Sequence, residues 1–136
     1  MRTLIFLAAL LSLMSLANAT TADATINECS KGNDHPRVSQ CVFDRATSAR
    51  SDLNAAERAM RARIEQSSED ASYLKPIQRR FEASVLSYQR YRDEQCGLYQ
   101  ALSNMSMYTE EIKLACEAML DSDRAQQLKH GMWWLE

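Results

Sequence analysis

From Val42 to Ile64 apolar residues recur at Val42, Ala46, Ala49, Leu53, Ala56, Met60 and Ile64, and neither glycine nor proline breaks the run. Steps of three and four residues draw one stripe down a helix and leave Arg45, Arg50, Asp52, Glu57, Arg58 and Arg61 for the other face. A stripe of about seven turns cannot shield itself from water, so it demands partner helices. The rest of the chain can supply them. Beyond the first residues there is no sustained alternation of apolar and polar positions, and three glycines and two prolines in 136 residues leave little punctuation, so helix dominates.

The first helix follows a turn at residues 32–36, where Asp34 suits a cap and Pro36 suits a first helical position. After a polar break at residues 67–70, with Pro76 near the next start, a second stripe runs through Ile77, Phe81, Ser84, Tyr88, Tyr91, Gln95, Leu98 and Leu102. On this spacing Tyr88 and Tyr91 pack inward with Tyr99 beside them, while Arg90, Asp93 and Glu94 meet water. Arg92, four residues from Tyr88, stands at the edge of the stripe, where it can pair with a carboxylate. A third helix is expected from Thr109, with Glu110 and Glu111 in its first turn and Ile112, Cys116, Met119, Leu120 and Leu128 facing inward. Lys129 and His130 fill its last turn and Gly131 ends it. Short links favour antiparallel neighbours, so the expected fold is all-α, a small antiparallel three-helix bundle running up, down, up.

Four cysteines, Cys29, Cys41, Cys96 and Cys116, take their meaning from the compartment. The chain opens MRTLIFLAALLSLMSLANA, a basic Arg2, an apolar run from Leu4 to Leu16 and the small residues Ala17 and Ala19, which is the pattern of a secretory signal too short to span a bilayer. Residues 1–19 are expected to be cleaved and residues 20–136 to form a single domain with no membrane anchor. The signal holds one of sixteen basic residues and none of eighteen acidic ones, so the mature chain sets fifteen against eighteen, a formal charge of −3. That excess argues against nucleic acid and fits a basic partner better. In an oxidising space an even cysteine count reads as two disulfides. Spacings of twelve, fifty-five and twenty residues hold no C-x-x-C, and neither His35 nor His130 completes a ligand set, so no metal and no cofactor is expected. The up-down-up topology gathers all four cysteines at one pole. Cys96 and Cys116 bracket the second link and are paired on that ground, which leaves Cys29 to close onto Cys41; each closure is worth about 3 kcal/mol in a domain too small to rest on its core alone.

No nucleophile with a positioned base is visible, so an enzyme is not expected. The order of features is informative nonetheless: Cys41 opening a helix, Leu53 and Asn54 about three turns on, Tyr91-Arg92-Asp93 with Cys96 three residues later, then Cys116, Arg124 and Leu128. This pattern resembles the helical domain of the LprI-like lysozyme inhibitors, over roughly residues 29–128. Glu57 and Tyr88 stand where that family frequently has an aromatic residue and a tryptophan. The resemblance implies an exported, periplasmic or secreted protein that blocks a lysozyme or another peptidoglycan-degrading enzyme, as a host-lysozyme inhibitor or as an immunity protein against a rival's toxin. The motif residues Leu53, Asn54, Tyr91, Arg92, Asp93 and Arg124 read as scaffold, with Arg92 and Asp93 forming an ion pair near Cys96. Blocking a glycan-cleaving cleft takes a protruding group that reaches its catalytic acid. Tyr108 in the second link and the pair Trp133 and Trp134 are the partner-binding candidates, although the tryptophans are also expected to fold back over the open end of the bundle. The alternative class is a non-enzymatic envelope protein of structural or adaptor type.

Overall fold

A computed structural model describes residues 21–130; the signal segment and Trp133 and Trp134, with the expectations placed on them, lie outside the described residues. Among the described residues there are four helices and no strand: α1 (Ala22–Ser30), α2 (His35–Gln66), α3 (Ala71–Leu102) and α4 (Thr109–His130). The three-helix expectation is therefore corrected to four. The added helix, α1, starts where the Thr21 hydroxyl accepts from the Ala24 N–H at 3.1 Å, and it ends against Gly32, whose φ of 71° lies in the left-handed region that glycine takes without strain. Its nine residues are too few to show a periodic stripe, and only Thr25 and Cys29 are buried on it.

α2 begins as the sequence suggests. Asp34 caps it by accepting from the Arg37 N–H at 3.3 Å, and Pro36 occupies the first turn, where its missing N–H costs nothing. α3 starts at Ala71, straight after the polar break and under the cap Asp70, and Pro76 lies in its second turn. The carbonyl that Pro76 leaves without a partner belongs to Ser72 in the exposed first turn, where water can take the bond. The link at residues 67–70 folds α3 back on α2, and Arg61 crosses between them to both oxygens of Glu82 at 2.7 and 2.9 Å. α4 runs against α3 and along α2, since Ser39 meets Glu111 and Arg50 meets Asp121 in ascending order. Two disulfides, Cys29–Cys41 and Cys96–Cys116, close at the same pole.

The helices enclose two apolar clusters. One is built by Leu53, Ala56, Met60 and Ile64 of α2, Phe81 and Val85 of α3, and Ala125 and Leu128 of α4. The other joins Cys29 of α1 to Val38 and Val42 of α2 and Ala115 of α4, with Ile26, Tyr108 and Leu114 packed against it. α3 contributes nothing to the second cluster. There α1 takes its place, and the C-terminal half of α3 is tied to α4 by the Cys96–Cys116 disulfide and by Arg92 at Asp121.

That change of partners moves the inward face of α3. The buried line of α3 is Phe81, Val85, Arg92 and Cys96, with Tyr88 half-buried among them, and beyond Tyr88 it holds only Arg92 and Cys96. Tyr91, expected inward, is 52 % exposed, and Arg92 is only 8 % exposed; one residue along a helix is a rotation of about 100°. Tyr99, Leu98 and Leu102 are exposed as well. On α2 Glu57 is buried, not on the charged face, and on α4 the buried set is Glu111, Ala115, Cys116, Ala118, Asp121, Ala125 and Leu128, while Ile112, Met119 and Leu120 are half-buried.

Candidate functional site

Charged residues stand in core register on three helices: Glu57 four residues after Leu53, Arg92 between Tyr88 and Cys96, and Asp121 between Ala118 and Ala125. Their meeting point is Asp121. Its carboxylate, 1 % exposed, accepts from the Tyr88 hydroxyl at 2.6 Å, from Arg50 Nε at 2.6 Å and from Arg92 Nη1 at 3.5 Å. Arg92 also donates through Nη2 and Nε to Asp93 at 2.6 and 3.0 Å. Arg124, one turn below Asp121, donates to the Ser84 hydroxyl at 2.7 Å and lies 5.7 Å from the centre of the Tyr88 ring. A polar layer thus ties α2, α3 and α4 between the two apolar clusters.

The electrostatics follow from burial. Desolvation, with the Asp121 carboxylate against its oxygen, holds the Tyr88 phenol well above its ordinary range. Burial works against the charge of Arg92, but its bonds to Asp93 and the charge of Asp121 hold it above the usual guanidinium value. Glu57 is pushed up by burial against the pull of Arg61 and Arg124. An acceptor already taken by three donors and a phenol this hard to ionise are poor reagents. The layer is a fastening: Asp121 and Arg92 are bonded to protein groups, while Arg124 Nε is buried without a partner.

At the disulfide pole a second polar group sits under the link between α3 and α4. Glu111, buried, accepts from the Ser39 hydroxyl and lies 3.5 Å from His35 Nε2, which also reaches the Met107 carbonyl at 2.9 Å. The His35 ring stacks on Tyr108 with centroids 5.2 Å apart. The link itself is stitched: the Thr109 hydroxyl donates to the carbonyls of Ser103 and Ser106 at 2.9 and 2.8 Å, and Ser106 N–H donates to Ser103 at 2.7 Å. Among the described residues no three His, Cys, Asp or Glu side chains converge to hold a metal.

Of the residues singled out from sequence, the structure brings Arg92, Asp93 and Arg124 together around Asp121, with Leu53 in the apolar cluster beneath. Asn54 is exposed and Tyr91 points away, so neither joins them. Tyr108 is half-buried against His35 and the second cluster, not a free tip. Sequence reasoning missed Asp121 altogether, and it gave Arg50, Glu57 and Glu111 to solvent or to a helix end. The signal was available in the spacing: each of the three acids falls at three or four residues from buried apolar positions, where a solvated charge does not belong.

No helix among the described residues is long and apolar enough to cross a membrane. A family model described as lysozyme inhibitor LprI matches residues 17–128. No curated protein and no solved structure matches the chain.

Proposed function

The chain belongs to the LprI family of lysozyme inhibitors, and from that premise we propose that it is exported by way of residues 1–19, forms its two disulfides in the bacterial envelope, and binds and blocks a lysozyme or a related peptidoglycan-cleaving enzyme. The family match over most of the chain carries this reading, and the two disulfides agree with life outside the cytoplasm. The protein acts by occupying another enzyme, not by chemistry of its own: Asp121 and its donors are engaged with one another and serve as scaffold. Arg92, oriented by Asp93, and Arg124 join α3 to α4, and what meets the partner lies on the surface. The target is either a host lysozyme or a toxin delivered by a competitor.

The purified mature protein, both disulfides closed, is added to cell-wall suspensions digested by c-type, g-type and i-type lysozymes and by bacterial muramidases. Lysis by at least one of them is expected to slow with a stoichiometric end point. Neither inhibition nor binding across that panel at micromolar protein would remove the inhibitor reading.

A further inference from the structure

The C-terminal half of α3 and the link after it carry apolar side chains for which the fold has no use. Tyr91, Leu98 and Leu102 form a stripe at spacings of seven and four residues, and Met105 and Met107 follow within the link. Leu102 is 74 % exposed and Met105 96 %. This is not a slack segment. The Cys96–Cys116 disulfide clamps its two ends, the hydrogen bonds of Thr109 and Ser106 close it internally, and His35 holds it to α2 through the Met107 carbonyl. With the backbone held in this way, a partner that covers these side chains need not order the chain as well.

The charge around the patch narrows the partner. From Arg90 to Glu117 the chain has five carboxylates and three cations, Arg90, Arg92 and Lys113. Arg92 and Asp93 engage each other, Ser39 engages Glu111 and Gln100 donates to Glu110, which leaves Glu94 and Glu110 as exposed carboxylates and Glu117 half-buried, beside the exposed Arg90 and the half-buried Lys113. We propose that this acid-rimmed apolar face is the docking surface for the target, and that the target is an enzyme whose cleft is rimmed with cationic residues. The proposal rests on the inhibitor reading and specifies its contact surface. Peptidoglycan is an anionic polymer, so an enzyme that captures it gains from basic residues about its cleft, and the same residues attract Glu94 and Glu110 while Leu102 and Met105 are buried at the centre. A second copy of the chain would set like carboxylates against each other, so self-association through this face is disfavoured.

Leu102→Asp and Met105→Asp are made in the disulfide-closed mature protein, with Leu86→Asp, an exposed leucine on another side of α3, as the control. Helicity and thiol content check folding, which changes at such exposed sites should leave intact. Both test variants are expected to bind a lysozyme that the parent inhibits about ten-fold or more weakly, as at interface centres, while Leu86→Asp binds as the parent does. Parent binding should weaken as salt is raised. If the test variants inhibit like the parent, the surface is wrong and the inhibitor reading survives. If they weaken but salt has no effect, the cationic partner is overturned. If they instead abolish a parent dimer seen by sedimentation, the face joins copies of the chain and the proposal falls. A parent that binds no lysozyme removes both readings together.

Discussion

At Asp121 a carboxylate has left water for a site where Tyr88, Arg50 and Arg92 replace its hydration shell. Removing such a centre costs more than the bonds it made, because the guanidinium of Arg92 is then left buried with only Asp93. Asp121→Ala is expected to lower stability by about 3–5 kcal/mol in urea titration. Tyr88→Phe removes one bond to a charged acceptor and should cost about 1.5–3 kcal/mol, whereas Asn54→Ala on the exposed face should stay within about 0.5 kcal/mol. Glu57 behaves in the opposite sense to a paired acid. Its folded carboxyl titrates above the unfolded one, so its unfavourable share is absent below the unfolded value and sets in as the pH rises through the folded value. Glu57→Gln should therefore raise stability at neutral pH, and the gain should disappear on the acid side of the ordinary glutamate range. Melting temperatures measured across pH on both proteins test it; a gain that grows on acidification would show that Arg61 and Arg124 outweigh the burial.

The starts of α2 and α4 were legible because their signals are local: an acid beside a proline for one, a threonine ahead of two glutamates for the other. α1 was not, since two and a half turns give no periodic record and what holds it is Cys29–Cys41 and the ion pair from Arg45 to Glu28 at 2.7 Å. Pro76 does stand near the start of α3, and the cap that sets that start is Asp70, the last residue of the polar break. Tyr91 and Arg92 exchanged roles because the facing direction of α3 depends on which helices pack beside it, which one helix's sequence does not record. Beyond Tyr88 α3 adds no residue to either apolar cluster, and the second disulfide fastens it to α4. Cys96→Ser with Cys116→Ser opens a 20-residue separation and should cost about 3 kcal/mol by the chain-entropy estimate. The loss should also be local. Hydrogen exchange is expected to quicken from the last turns of α3 through the link, while amides around Met60 and Val85 keep their protection relative to the lowered global stability. Uniform loss throughout the chain would mean that the half-helix is held by packing after all.

Two apolar clusters with an ionic layer between them resemble two folding units, but the path of the chain says otherwise. α2 lends Val38 and Val42 to one cluster and Leu53, Met60 and Ile64 to the other, and α4 likewise runs from Ala115 to Leu128 through both. Neither cluster can melt without fraying a helix that the other needs, so a single cooperative transition is expected. Met60→Ala should cost about 2–5 kcal/mol, and Val42→Ala, which deletes two methyl-sized groups, about 1.5–2 kcal/mol. Each substitution should move the far-ultraviolet and the near-ultraviolet dichroism midpoints together, although the residues sit in different clusters. On the proposed reading this arrangement has a use: the disulfide pole with its exposed Leu102 and Met105 is braced by helices anchored in the distal cluster, so the surface proposed for the partner shares the stability of the whole molecule. If Val42→Ala instead splits the transition, with the near-ultraviolet signal lost first, the pole is a separately melting cap, and a contact surface there would have to be ordered by its partner.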